Sequence, residues 1–131
     1  MKILIVDDTA LNARIMSNIL SEYAECHVVQ SGFAAIDKVE ESFTTQELYD
    51  IIFMDIMMPE MDGIQCVEKI REFEKNNGIK ASIIYMVTAL KEDAYVKRSL
   101  RAGCNGYILK PVEKYSLISQ LRKAGFSVTK R

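Results

Sequence analysis

Tyr49-Asp50-Ile51-Ile52-Phe53-Met54-Asp55-Ile56-Met57-Met58-Pro59-Glu60-Met61-Asp62-Gly63 is the stretch around which the rest of the chain is arranged. Ile51 to Met54 is a short, unbroken apolar run between polar residues, the pattern of a parallel strand covered on both faces. Asp55 places a carboxylate at the mouth of that strand. Pro59 cannot continue a sheet, and Asp62-Gly63 turns the chain into its next helix. Ligands of an open parallel sheet bind beyond the carboxyl ends of the strands. Asp55 therefore stands where chemistry is expected.

Four similar runs flank it in sequence. Lys2 to Val6 reads as a first buried strand with Asp7-Asp8 at its end, followed by a helical stripe at Leu11, Ile15, Met16, Ile19, Leu20 and Tyr23 that Thr9 or Asp8 can cap. Cys26 to Val29 reads as a short second strand, and Ser31-Gly32 opens a helix carrying Ile36, Val39 and Phe43. Residues 42 to 49 are polar and fit either an extension of that helix or a loop. A third helix is expected over 64–74, with Asp62 and Gln65 at capping-box spacing and Asn76-Asn77-Gly78 as its stop. Ser82 to Val87 is a fourth strand with Thr88 at its end. Asp93 to Ala102 reads as a helix closed by Gly103, with a thin apolar stripe at Val96 and Leu100. Gly106 to Leu109 is a fifth strand ending in Lys110-Pro111. Tyr115, Leu117, Ile118, Leu121 and Ala124 form the last amphipathic helix, stopped by Gly125.

Five strands alternating with five helices give an α/β fold, a doubly wound parallel sheet with helices on both faces. Right-handed crossovers and the usual order for five strands, 2-1-3-4-5, make the first and third strands neighbours at the switch point. Asp7, Asp8 and Asp55 then converge. Three carboxylates in one crevice must take up protons or share a cation. Oxygen donors without clustered His or Cys suit a hard ion, and Mg²⁺ best, because it keeps coordination positions for water and phosphate. Thr88 adds a hydroxyl and Lys110 a cation on a flexible stem. Carboxylate nucleophile, metal, hydroxyl and ammonium are together the parts for phosphoryl transfer to an aspartate.

Composition sets the outer limits. At 131 residues the chain has the size of one domain, residues 1–131, and can bury roughly two-thirds of its unfolded surface. A net charge of −1 offers no electrostatic case for nucleic acid or an anionic membrane as main partner. Cys26, Cys66 and Cys104, far apart and odd in number, fit neither a disulfide framework nor a zinc site. With no secretory leader and no run of about 20 apolar residues, a cytoplasmic protein with reduced thiols is expected.

Four segments together resemble the receiver domain of two-component response regulators: Ile3-Leu-Ile-Val-Asp-Asp8, Met54-Asp-Ile-Met-Met-Pro-Glu-Met-Asp-Gly63, Val87-Thr-Ala89 and Gly106-Tyr-Ile-Leu-Lys-Pro111. The resemblance covers nearly the whole chain and implies the flavodoxin-like fold of the chemotaxis regulator. It implies that Asp55 is the phosphoacceptor, attacking a phosphohistidine of a sensor histidine kinase or histidine phosphotransfer protein. Asp8 and Asp55 would bind Mg²⁺ directly, Asp7 through water, and Met57 through its backbone carbonyl. Thr88 and Lys110 would engage the phosphoryl oxygens, small Ala89 would leave them room, and the Lys110-Pro111 bond would be cis. Thr88 and Tyr107 would form the switch that reshapes the face made by the fourth helix, fifth strand and fifth helix for a downstream protein. The implied role is a signalling domain that assists its own phosphorylation and dephosphorylation, not a turnover enzyme. Met57 and Leu90 flank the positions that tune dephosphorylation in this family. As two apolar side chains they offer nothing to hold an attacking water, so slow self-hydrolysis is expected.

Some residues carry plainer readings. His27, the single histidine, is expected to be a partly exposed strand residue. Met54, Met57, Met58 and Met61 are read as gap-filling beside the site. An aspartate-nucleophile phosphatase of the haloacid-dehalogenase type is the rival function, but it needs an Asp-x-Asp pair where this chain has adjacent Asp7-Asp8. A flavin-binding module would need a Ser/Thr/Gly-rich phosphate loop after the first strand. A stand-alone regulator, a phosphorelay intermediate and a fragment of a hybrid kinase all fit the receiver reading. The Met-Pro-Glu-Met-Asp-Gly run resembles receivers attached to hybrid kinases.

Overall fold

The apolar runs read from the sequence form five strands and the periodic stretches between them five helices, in strict alternation: β1 (Lys2–Val6), α1 (Ala10–Leu20), β2 (Glu25–Val29), α2 (Gly32–Thr44), β3 (Ile51–Met54), α3 (Gly63–Asn76), β4 (Ile83–Thr88), α4 (Asp93–Ala102), β5 (Gly106–Leu109) and α5 (Lys114–Lys123). The computed structural model describes every residue from Met1 to Arg131. The sheet is parallel throughout, in the order β2-β1-β3-β4-β5. Register pairs Val6 with Met54 and Met54 with Met86, so β1 and β3 end level, while β4 runs two residues further to Thr88, level with Leu109 at the end of β5, and all release their loops on one side.

Strand alternation sends side chains to opposite faces, and each face has its own core. One contains Leu4, Val6, Ile52, Met54, Ile84 and Met86 under α2 and α3, the other Ile3, Ile5, Ile51, Phe53 and Val87 under α1 and α5. Ser31 caps α2 by accepting from the Ala34 N–H at 3.1 Å. Asp62 and Gln65 complete both bonds of the capping box at the start of α3. Residues 42 to 49 divide between the two readings: α2 continues to Thr44, and a loop carries the chain on to β3. Thr88 is the last residue of β4 instead of the first beyond it. The three thiols are free, with Cys66 and Cys104 buried, and no helix is long and apolar enough to cross a membrane.

Three expectations need correction. Neither Thr9 nor Asp8 makes a side-chain cap on α1; Asp7 Oδ1 instead accepts from the Thr9 N–H at 2.9 Å, which leaves Asp8 free toward the loops. On α4 the stripe is not Val96 with Leu100, since Leu100 is 54% exposed. The inward residues are one position earlier: Ser99 is buried, and Tyr95 and Ala102 pack against the larger core. Met54, Met58 and Met61 do fill space, but Met57, in the loop after β3, is 63% exposed.

Between α3 and the β4 and β5 entries lies a polar clamp. The Arg71 guanidinium donates to Glu74 Oε1, to the carbonyls of Ser82 and Gly103, and to Asn105 Oδ1, all at 2.7–2.9 Å. The buried Glu74 carboxylate accepts in turn from the Ser82 N–H and hydroxyl at 2.8 Å. A buried carboxylate whose two oxygens both accept hydrogen bonds is tolerable where an unpaired one is not. The clamp ties the C-terminal end of α4 to α3, and the opposite end of α4 has no side-chain cap.

Candidate functional site

Each functional side chain sits one or two residues beyond, or on the last residue of, a strand. Asp7 and Asp8 follow β1, Asp55 follows β3, Thr88 ends β4 and Lys110 follows β5. Apolar strands anchor the backbone, and their carboxyl ends, all on one side of the parallel sheet, bring the polar residues to one mouth. Carboxylate oxygens of Asp7, Asp8 and Asp55 all lie within 4.8 Å of one another. Asp7 and Asp55 are buried and Asp8 is exposed.

Lys110 holds the two buried acids. Its Nζ is 2.9 Å from Asp7 Oδ2 and 3.1 Å from Asp55 Oδ2. Burial alone would lower the Lys110 pKa, but the hydrogen bonds and charges of Asp7 and Asp55 outweigh that and raise it. The Asp55 carboxyl is pushed above the usual carboxylate range, because its loss of water outweighs the help from Lys110, and Asp7 adds a like charge. Against three clustered carboxylates stands one ammonium, so the cluster has room for further positive charge. The donor set is all oxygen, one acid faces solvent and the site is short of a cation, so the residues fit a divalent hard ion. Asp7, Asp8 and Asp55 are the side chains that would hold it.

Thr88 is buried, and its Oγ1 accepts from the Leu90 N–H at 3.3 Å. Tyr107, half-buried on β5, donates its hydroxyl to the Leu90 carbonyl at 2.6 Å. Both backbone groups of Leu90 are therefore tied, one to Thr88 and one to Tyr107. The Lys110-Pro111 peptide bond is cis. His27 lies half-exposed on β2, 2.6 Å from the Tyr49 hydroxyl and remote in sequence from every site residue.

Sequence reasoning passed over Gly63. A Cβ there would sit 2.0 Å from the Asp55 carbonyl oxygen and 2.9 Å from the Ile56 Cα, both backbone atoms that cannot swing aside. The missing side chain lets α3 start directly against the strand end that carries Asp55, where the Gly63 N–H donates to the Ile56 carbonyl at 2.8 Å. Asp-Gly turn chemistry signals the turn but not this contact. Gly63→Ala is expected to cost about 2–3 kcal/mol, in the range for overpacking a close contact. Urea unfolding checks this; a cost below about 0.5 kcal/mol, the surface-substitution range, contradicts it.

A family model for the response regulator receiver domain matches residues 3–122. Hybrid signal transduction histidine kinase M of Dictyostelium discoideum is 35% identical over 126 residues, 95% of this chain but 5% of that protein. The chemotaxis protein CheY of Treponema pallidum is 31% identical over 120 residues, 92% of this chain and 79% of that protein. The chain therefore spans a small part of the hybrid kinase and most of the chemotaxis protein. Among solved structures, the receiver domain of the Arabidopsis thaliana histidine kinase CKI1, complexed with Mg²⁺ and BeF₃⁻, superposes with a TM-score of 0.83 at 25% identity, over 94% of this chain and 89% of that one. Sheet order, the acid cluster at the strand ends and the match over residues 3–122 lead to one conclusion: this chain belongs to the response regulator receiver domain family.

Proposed function

We propose that residues 1–131 act as a single phosphoacceptor receiver, in which Asp55 takes a phosphoryl group from a phosphohistidine of a sensor histidine kinase or histidine phosphotransfer protein. The observation that carries the reading is the Lys110 ammonium shared between Asp7 and Asp55, with the Asp8 carboxylate within 4.8 Å. A nucleophile, a cation and a place for a second cation meet there. Mg²⁺, held by Asp7, Asp8, Asp55 and the Met57 backbone carbonyl, would supply charge neutralisation for the phosphoryl oxygens. The CKI1 receiver that superposes on this chain binds Mg²⁺ and BeF₃⁻, and that favours the same use of the acids here.

The Asp55 carboxylate attacks phosphorus, the bond from phosphorus to the donor nitrogen breaks, and the donor imidazole leaves with the electron pair. Lys110 neutralises charge on one phosphoryl oxygen, and the Thr88 hydroxyl donates to another. Turning Thr88 toward the phosphoryl group gives up its bond to the Leu90 N–H. Leu90 then loosens, and Tyr107 with it, since its hydroxyl is held by the Leu90 carbonyl. A ligand shifts such an equilibrium only by its unequal affinity for the two states, and here the inequality is the Thr88–phosphoryl bond. The output surface in this proposal is α4, β5 and α5, where Leu100, Leu109 and Tyr115 are exposed, and it serves a downstream protein instead of nucleic acid or membrane.

With acetyl phosphate and Mg²⁺, the peptide containing Asp55 is expected to gain the mass of one phosphoryl group, and chelation of the metal to prevent it. The label is expected to outlast minutes after donor removal, since exposed Met57 and half-buried Leu90 are apolar and offer no group to hold a water in place. Labelling elsewhere in the chain, or labelling indifferent to the metal, refutes the assignment. A label gone within seconds refutes the slow hydrolysis alone.

A further inference from the structure

Asp8 lines an open cleft of about 490 Å³ that runs past Met57, Pro59 and Leu90 to Tyr95 and Arg98 on α4. The Arg98 guanidinium lies 5.8 Å from the Tyr95 ring centroid, and it takes part in none of the protein's ion pairs or side-chain hydrogen bonds. One end of the cleft is thus acidic and suited to a metal-bound phosphoryl group. The other end carries an uncommitted cation on an aromatic plane, and the walls between are mostly apolar, with the Asp62 carboxylate as the one further charge. In an in-line displacement the leaving group departs on the side of phosphorus away from Asp55.

We infer that Arg98 is a specificity-determining residue for small phosphodonors, favouring acyl phosphates, whose leaving group is a carboxylate, over donors whose leaving group is neutral. The inference rests on Asp55 being the phosphoacceptor. With an acyl phosphate, the Asp55 oxygen–phosphorus bond forms as the bond from phosphorus to the acyl oxygen breaks. The electron pair departs on a carboxylate, and the growing negative charge moves toward the guanidinium. With phosphoramidate, the phosphorus–nitrogen bond breaks instead and the protonated nitrogen leaves as ammonia, which gains nothing from Arg98. A unit charge facing the departing group across a cleft part apolar and part water favours the first reaction by roughly three- to tenfold.

The test compares labelling rate constants with acetyl phosphate and with phosphoramidate, both with Mg²⁺, in the full chain and in its Arg98→Gln and Arg98→Lys variants. Arg98 is exposed and outside the core, so neither variant is expected to disturb folding. In Arg98→Gln the acetyl phosphate to phosphoramidate ratio is expected to fall about three- to tenfold, and in Arg98→Lys to stay within about twofold of the original. Raising salt to about 0.5 M should shrink the original ratio and leave that of Arg98→Gln in place. A ratio unchanged in Arg98→Gln, with both donors still labelling, overturns the role of Arg98 alone. A chain that accepts from neither donor overturns the phosphoacceptor reading as well.

Discussion

Asp55→Asn is expected to accept no phosphoryl group and, at the same time, to unfold at a higher urea concentration than the parent chain. Removal of the nucleophilic oxygen leaves an amide, which neither attacks phosphorus nor carries the charge a divalent ion needs. The stability gain has a separate cause. Burial raises the Asp55 pKa in the folded chain above its unfolded value, so the ionised carboxylate opposes folding. An acid of raised folded pKa destabilises nothing while it is protonated in both states. Its cost begins as pH rises through the unfolded pKa of about 3.9 and reaches full size above the folded pKa. Asparagine removes that cost, and Lys110 keeps its bond to Asp7 at 2.9 Å. The variant should match the parent near pH 3 and exceed it at pH 7. Urea titrations at both pH values measure the difference. An equal or lower midpoint at pH 7 shows that Asp55 is not held against its solvation preference.

Much of this was readable in advance, for a physical reason. A strand covered on both faces needs an uninterrupted apolar run, so the first polar residue after it marks the strand end in sequence and in space alike. That is why the convergence of Asp7, Asp8, Asp55 and Lys110 is legible in the sequence. The residues that escaped notice depend on contacts between elements. Arg71 and Glu74 are three apart on a helix, a spacing that normally signals a solvated ion pair. Their burial follows from Ser82, Gly103 and Asn105 closing over them. On α4, Val96 with Leu100 and Tyr95 with Ser99 are two stripes one residue apart. Only packing against the larger core decides for the second. Asp7, Asp8 and Thr9 are equivalent as helix caps by composition, but Lys110 draws Asp7 inward, where its other oxygen can reach the Thr9 N–H.

Lys110→Met removes the only cation that touches the buried acids, and its effect is expected to change with pH and with metal. Breaking a buried pair by deleting one partner typically costs about 3–5 kcal/mol, since the remaining charge is left uncompensated. Here the remaining groups can escape that cost by taking a proton. Loss of Lys110 pushes the Asp55 pKa further above its unfolded value, because the charge and hydrogen bond that lowered it are gone. Folding then takes up a proton, and the variant loses stability as pH rises from the unfolded pKa through the folded one. Its deficit should be smallest near pH 4 and reach about 3 kcal/mol at pH 7. A divalent ion offers a second way out, so Mg²⁺ should raise the variant's urea midpoint more than the parent's, in which Lys110 already competes for Asp7 and Asp55. Labelling by acetyl phosphate should nevertheless fall by about 10²–10³, the size of losing one preorganised charge on a developing oxyanion. The variant therefore separates two duties of one ammonium: metal can replace it as a counter-charge for the resting acids but not as the group that meets the incoming phosphoryl oxygen. A deficit that stays constant between pH 4 and pH 7, or one that Mg²⁺ leaves untouched, means that the carboxylates do not depend on Lys110 for their charge balance.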